Sequence, residues 1–189
     1  MSDISRYTTS WNYPSAILTG AGRIRDLPAQ CRELGMTAPL LITDPGLAAL
    51  PMVREVLDHC AGEGLRAGLF AEIKGNPTGA NVIAGVDAFR QGEHDGVIAF
   101  GGGSGLDAAK AVALMANQRD GLSLWSLEDV GDNWKNADGD AIVPLVAVPT
   151  TLFGAIAAGS PRCHLHVPDE GLLTAPLWLP TSQTSSFTG

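Results

Sequence analysis

Short apolar runs alternate with longer amphipathic segments along most of the chain. In the amphipathic segments, apolar residues recur every three or four positions, which is the period of a helix packed on a core. The apolar runs, which we expect to be strands, are 16–18, 39–43, 67–73, 97–100 and 142–148. This order predicts an α/β fold with a Rossmann-like, mainly parallel sheet and helices on both faces.

Glycine, proline and polar clusters mark where these elements end. The apolar stripes of the expected helices are Ile24 to Leu34, Leu50 to Cys60, Val82 to Phe89 and Leu106 to Ala116. The polar stretch 121–140, anchored by Trp125 and Trp134, is expected to cross the surface as a loop or short helix. Pro144 has no amide hydrogen, which favours a strand start or an edge position for it.

The run 97–100 leads directly into Gly101-Gly102-Gly103-Ser104, with an alanine-rich helical segment behind it. A helix that begins at glycines presents backbone N–H groups without partners, and its dipole favours an anion there. Glycine also lets a phosphate approach the backbone closely. We expect Ser104 to be the N-cap and Asp107 to lie in the first turn. An ordinary helix start is the alternative, and the loose G-x-G-x-x-A match of 103–108 does not separate the two.

Asp44 ends a second expected strand, 39–43, at what should be the same edge of the sheet. In open α/β folds this carboxyl edge is where ligands bind. A carboxylate there accepts hydrogen bonds from ribose hydroxyls and repels a 2′-phosphate, which favours NAD over NADP. The alternative interpretation is a turn aspartate in front of Pro45.

The composition favours one globular domain in a reducing compartment. The 189 residues are 45% apolar, enough for a single core, and the net charge of −8 disfavours a nucleic-acid partner. The three cysteines, Cys31, Cys60 and Cys163, lack the spacing of a disulfide framework or a zinc site. No apolar run approaches the ~20 residues of a membrane span. We therefore expect a cytoplasmic protein with neither nucleic acid nor membrane as a partner.

Four motifs resemble landmarks of one family. The segment 101–110 resembles the GGGSxxDxAK signature of iron-containing alcohol dehydrogenases. Asn76-Pro77-Thr78, Thr43-Asp44-Pro45-Gly46 and Val148-Pro149-Thr150-Thr151 resemble three further landmarks, in the same order. The resemblance covers roughly 13–151. It implies a fold like that of dehydroquinate synthase, in which a nucleotide-binding α/β domain is followed by an all-helical metal domain.

The resemblance also implies a chemistry, which is hydride transfer between an alcohol or aldehyde and NAD in an iron-dependent enzyme, with a homodimer as the expected assembly. In such enzymes the glycine turn cradles the pyrophosphate, an aspartate contacts the adenosine ribose, and an Asn and a Thr-Thr pair line the cleft. Carried over, the expected cofactor-binding residues are Asp44, Asn76, Gly102, Gly103, Ser104, Asp107, Thr150 and Thr151.

The resemblance ends after Thr151, so we expect an NAD-binding domain over 1–151 and an atypical tail over 152–189. The tail does not continue with the family's Gly-Thr-Gly-Ser-Glu type segment, is poor in charge, and shows no sustained period. A reading-frame disruption near residue 152 explains the sudden change, and a divergent terminus is the alternative. By this interpretation the helical metal domain is absent and the chain is a truncated form.

No metal ligand or catalytic residue is assigned. The family holds its metal with one aspartate and three histidines, whereas His59 and His94 are expected on solvated surfaces. His164 and His166, near Cys163 and Asp169, have the H-x-H spacing that places two ligands on one face of a strand. Their alternative interpretation is two histidines in an unstructured tail.

Three hypotheses follow for the function. The first is an NAD-dependent, iron-type alcohol dehydrogenase by descent, with nucleotide binding as the activity that this chain retains. The second is a non-catalytic nucleotide-binding or dimerising module, and the third is an unstable remnant with exposed apolar surface. Within the enzyme class, a relative of glycerol dehydrogenase or maleylacetate reductase stays open.

Overall fold

The structure is a computed structural model that describes residues 17–18, 20–128, 132–151, 162–167 and 171–176, the last two ranges by their backbone alone. Its helices are α1 Leu27–Glu33, α2 Pro45–Ala48, α3 Pro51–Gly62, α4 Gly79–Gln91 and α5 Gly103–Met115. Its strands are β1 Pro39–Ile42, β2 Gly68–Phe70, β3 Gly96–Gly101, β4 Leu145–Pro149, β5 Arg162–Val167 and β6 Gly171–Pro176. Short 3-10 helices cover Arg23–Asp26, Leu124–Leu127, Asn133–Asn136 and Gly139–Ala141.

The first four strands form one parallel sheet in the order β2-β1-β3-β4. From β1 the chain passes through α2 and α3 to β2 on one side, and α4 then carries it back to β3 on the other side of β1. The predicted α/β fold with a mainly parallel sheet is therefore confirmed. The change of direction makes the gap between β1 and β3 the switch point of the sheet.

Helices cover both faces of the sheet, as predicted. Leu40 and Ile42 of β1 point to the face covered by α4 and α5, where Val82, Phe89 and Val112 are buried. Leu41, between them, points to the other face together with Ile98 and Phe100 of β3. That second core contains Cys31 of α1 and Val53 of α3. Alternate side chains of a strand face opposite sides, so an uninterrupted apolar run fills two cores at once.

Helix α5 is buried on all sides. Its residues 105–114 are all buried, because it packs between the sheet and α4 and also contacts β5. A helix that is apolar all round is a core helix. None of the helices in the described part of the chain is long and apolar enough to cross a membrane.

Three strand predictions need correction at their ends. The run 67–73 forms only Gly68–Phe70, which pairs with positions 40–42 of β1. Ile17 and Leu18 have no regular structure, and residue 16 lies outside the described residues. The last strand begins at Leu145, directly after Pro144, whose carbonyl accepts a hydrogen bond from Val97 N at 2.9 Å.

The tail contains regular structure that the pattern did not predict. Strands β5 and β6 form an antiparallel hairpin in which His164 lies opposite Thr174 and His166 opposite Leu172. The sequence does contain the pattern of a strand here, because residues 162–167 alternate polar and apolar over six positions. The H-x-H pair therefore lies on a strand, while its side chains lie outside the described part of the chain.

His94 is not on a solvated surface, and that prediction was wrong. Its ring packs against Gly68 and Gly92, where a Cβ would overlap it, and Nδ1 lies 2.9 Å from the Ala38 carbonyl. The absence of a Cβ at Gly68 and Gly92 leaves room for the His94 ring, and these two positions are 24 residues apart in the sequence. His59 is exposed on α3 as predicted, with Nε2 2.9 Å from the Arg25 carbonyl.

Candidate functional site

The predicted binding residues gather at the carboxyl edge of the sheet. Parallel strands end at the same edge, so Asp44 after β1, Gly102 after β3 and Thr150 after β4 become neighbours in space. The edge is centred on the gap between β1 and β3, which is the position where open α/β sheets bind ligands.

Helix α5 begins at this gap without a side-chain cap. Gly102 is its N-cap, with extended backbone (φ −82°, ψ −174°) and no capping side chain. Leu106 N donates the first helical hydrogen bond, to Gly102 O at 3.0 Å. The amides of Gly103, Ser104 and Gly105 precede it and have no acceptor within the helix. A Cβ on Gly103 would meet no atom within 4 Å, so there is free space beside the first residue of the helix.

Ser104 and Asp107 do not have the positions within the helix that we predicted. The helix starts at Gly103, two residues earlier than Ser104 as N-cap would require, so Ser104 is the second helical residue. Asp107 falls in the second turn and is buried at 7% exposure, with Oδ1 3.8 Å from the Nζ of buried Lys110. The reason is that glycine is itself an adequate N-cap. Ser104 still lies in the open first turn, whereas Asp107 faces the interior.

Asp44 has the turn role of the alternative interpretation, and its carboxylate also lies near the glycine turn. It is the N-cap of α2, and Oδ1 accepts a hydrogen bond from Leu47 N at 3.0 Å. Oδ2 lies 3.9 Å from the position that a Cβ on Gly101 would occupy. One carboxylate oxygen thus holds the helix, and the other faces the glycine turn across the gap.

The Thr-Thr pair contacts the same turn from the opposite side. Thr150 N donates to Gly101 O at 2.9 Å, which extends the pairing of β3 with β4 past the strand ends. A Cβ on Gly102 would lie 3.6 Å from Thr151 Oγ1. Both threonines are exposed, so their hydroxyls are accessible at the edge.

Asn76 is the one predicted residue that lies apart from this group. It occupies the turn after the outer strand β2, is exposed, and has a left-handed backbone (φ 53°). Asn81 fixes the turn, because its Oδ1 accepts from Thr78 N at 3.0 Å and its Nδ2 donates to Glu72 O at 3.0 Å. In the described part of the chain we find no hydrogen bond from the Asn76 side chain to the glycine turn.

Sequence reasoning missed two residues at the centre of the edge. Gly101 ends β3 with φ 148°, a conformation that favours glycine, and its Cα hydrogen lies between Leu47 and Asp44. Thr43 directly follows β1 and has a fully buried side chain. The glycine could have been found from its place at the end of an apolar run, whereas the burial of Thr43 follows only from packing.

The described residues do not form a metal centre. Residues 17–18, 20–128 and 132–151 contain no group of three His, Cys, Asp or Glu side chains arranged to hold an ion. His59 lies on α3 and His94 at the opposite, amino edge of the sheet. The residues in these ranges therefore do not provide the ligands of a metal.

Comparisons with known proteins match the chain to one family. The family model for iron-containing alcohol dehydrogenase matches residues 14–161 and so extends past Thr151. The chain is 35% identical to 4-hydroxybutyrate dehydrogenase from Cupriavidus necator over 69% of its length, which is 33% of that protein. It is 29% identical to NAD-dependent methanol dehydrogenase from Bacillus methanolicus over 76% of its length, which is 36% of that protein. The chain thus spans about a third of the length of these curated relatives.

A solved structure shows the same fold. Sulfoacetaldehyde reductase from Bifidobacterium kashiwanohense, in complex with NAD⁺, superposes with a TM-score of 0.76 and 22% identity, covering 89% of this chain and 43% of that one. Because the family model matches more than half of the sequence and its glycine, Asp44 and Thr-Thr motifs meet at one edge of the sheet, this chain belongs to the iron-containing alcohol dehydrogenase family.

Proposed function

We propose that this chain binds NAD across the carboxyl edge of its sheet, as the nucleotide-binding part of an NAD-dependent alcohol dehydrogenase. The observation that carries the proposal is the open start of α5 at the switch point, with three amides ahead of the first helical hydrogen bond and empty space at Gly103. Backbone donors and a helix dipole suit a pyrophosphate. The NAD dependence of the methanol dehydrogenase relative supports the choice of cofactor.

Each residue of the edge has a proposed part in holding the cofactor. The amides of Gly103, Ser104 and Gly105 bind the pyrophosphate, and the Asp44 carboxylate accepts from a ribose hydroxyl. The Thr150 and Thr151 hydroxyls and the Asn76 amide line the two sides of the cleft. Asp107 is assigned a supporting role, because it is buried beside Lys110.

NAD, when bound, supplies the hydride acceptor for oxidation of an alcohol. We derive no step through a metal, because the described residues do not provide its ligands. Catalysis on a small alcohol or aldehyde is therefore proposed for a complete family member, and nucleotide binding for the chain itself. Homodimerisation and a cytoplasmic location belong to the same proposal. The cytoplasmic location is supported by two buried cysteines without a disulfide among the described residues, Cys31 and Cys60. Burial raises the pKa of the Cys31 thiol to about 12, so this thiol stays protonated and unreactive.

A titration of the purified chain with NADH, followed by nicotinamide fluorescence, tests the proposal. We expect saturation at micromolar NADH, displacement by ADP-ribose, and binding of NADPH at least about tenfold weaker because Asp44 repels a 2′-phosphate. Displacement by ADP-ribose shows that the adenosine and pyrophosphate part supplies the affinity. A fluorescence signal that stays linear in NADH overturns the proposal, and a melting transition recorded in the same sample shows whether the chain was folded.

A further inference from the structure

The hydroxyl of Thr43 is buried at the floor of the gap between β1 and β3. Thr43 is 0% exposed, and its backbone amide donates to Phe70 O at 3.0 Å, which continues the pairing of β1 with β2. Among the residues that the structure describes, none forms a hydrogen bond with its Oγ1. Buried hydroxyls nearly always have a partner, because burial without one is unfavourable.

This hydroxyl lies near the same glycine turn as the Asp44 carboxylate. Oγ1 of Thr43 lies 3.8 Å, and Oδ2 of Asp44 lies 3.9 Å, from the position that a Cβ on Gly101 would occupy. The other Asp44 oxygen is already held by Leu47 N. Valine at position 43 would give a more stable fold, because it has the same shape and the same β-branching as threonine without a buried polar atom.

We infer that Thr43 is a positioning residue of the dinucleotide site. Its hydroxyl forms its hydrogen bond in the NAD-bound state, to the Asp44 carboxylate when that group engages the ribose. An unsatisfied group in the free protein thus becomes satisfied in the complex, so the hydroxyl favours binding at the expense of stability. The inference rests on the proposed NAD site and adds a residue that is out of the ligand's direct reach.

The test compares Thr43→Val with Thr43→Ser in the full chain, using NADH as the probe. We expect Thr43→Val to raise the melting temperature by about 3 °C, because it removes an unsatisfied hydroxyl. The same variant should bind NADH about fivefold more weakly. Thr43→Ser keeps the hydroxyl and loses a methyl group, so it should melt lower and bind NADH like the unsubstituted chain.

For Thr43→Val we expect a higher melting temperature together with weaker NADH binding, and this combination separates a positioning role from a structural one. A hydroxyl that is bonded in the free protein predicts a lower melting temperature for Thr43→Val, and that result overturns the inference. Equal NADH affinity of Thr43→Val and the unsubstituted chain overturns it as well. Combining Thr43→Val with Asp44→Asn should weaken NADH binding by less than the sum of the two single losses in binding free energy, because both substitutions act on one carboxylate. Failure of the unsubstituted chain to bind NADH is a different result, which rejects the proposed function itself.

Discussion

The two ends of the strand pair β1 and β3 are built in opposite ways. At the amino end, Asp95 accepts hydrogen bonds from Thr37 N at 2.7 Å, Thr37 Oγ1 at 2.6 Å and Ala38 N at 2.9 Å. His94 adds a contact to the Ala38 carbonyl and fills the space left by two glycines. Side chains thus satisfy the backbone where these strands begin.

At the carboxyl end the polar groups are left open. The first amides of α5 have no side-chain cap, and the Thr43 hydroxyl has no hydrogen bond within the described residues. Both ends lie on the same two strands, so the difference cannot come from the sheet. If the proposed function holds, the amino end serves stability, whereas the carboxyl end keeps its hydrogen-bonding capacity for a ligand. Substitutions at the two ends should therefore affect different measurements.

Gly102→Asp should have the largest effect, because it gives α5 a capping carboxylate in place of the ligand's charge. The backbone at Gly102 suits any residue, and a Cβ there would make ordinary contact with Thr151. We expect NADH binding about 100-fold weaker with little change in melting temperature. Gly102→Asn provides a cap without the charge and should lose much less affinity. Unchanged NADH affinity of the aspartate variant would mean that the phosphates lie elsewhere.

Asp95→Asn should reduce stability and leave NADH binding unchanged. An amide cannot accept all three hydrogen bonds, so we expect a loss of about 1–2 kcal/mol in the free energy of unfolding. Asp58→Asn is the control with the same charge change, because Asp58 pairs with Arg54 on the exposed surface of α3. Chemical denaturation measures the loss, and a changed NADH affinity would contradict the separation of the two ends.

The same residue sets a pH dependence. Burial raises the pKa of Asp95, but the hydrogen bonds from Thr37 and Ala38 outweigh it and hold that pKa below its usual range. A carboxyl with a depressed folded-state pKa stabilises the protein above its unfolded-state pKa, about 3.9, and the stabilisation is lost as the pH falls through the folded-state pKa. The stability difference between Asp95→Asn and the unsubstituted chain should therefore shrink in acid.

Asp44→Asn should have an intermediate effect, confined to binding. Asparagine also caps a helix N-terminus, so the melting temperature should not change. Loss of the charged acceptor should weaken NADH binding about tenfold and weaken NADPH binding less, which narrows the preference between the two cofactors. Asp58→Asn is again the matched control. An unchanged ratio of the two affinities would remove Asp44 from the ribose site.

Gly79→Ala should have the smallest effect. Gly79 is the first residue of α4, which, like α2 and α5, starts at the carboxyl edge of the sheet. A Cβ on Gly79 would overlap the indole of Trp125, which lies against the start of α4 near the Asn76 turn. We expect a loss of about 1 kcal/mol in stability. Gly62→Ala, at the end of α3, meets no atom within 4 Å and should be neutral or slightly stabilising.

Much of this edge could be predicted from the sequence, because parallel strands bring their carboxyl ends together whatever their side chains are. The apolar runs located β1, β3 and β4, and this placed Asp44, Gly102 and Thr150 at one edge. Helix starts were less predictable. Ser104 was expected as the N-cap, but the helix begins at Gly103, since Gly102 caps nearly as well.

Features that depend on packing between distant segments could not be predicted. His94 is half-buried because Gly68 and Gly92 leave room for its ring, and no local pattern links those positions. The unsatisfied hydroxyl of Thr43 likewise follows from the positions of Asp44 and Gly101 around it.

The central claim is that the first amides of α5 hold the dinucleotide's phosphates. Titration of ¹⁵N-labelled chain with NADH, followed by amide chemical shifts, tests it most directly. The account predicts that the Gly103, Ser104 and Gly105 amides shift together and saturate with the binding curve, while the Thr37 and Ala38 amides at the opposite end stay unchanged. Saturable NADH binding that leaves those three amides unmoved would contradict it.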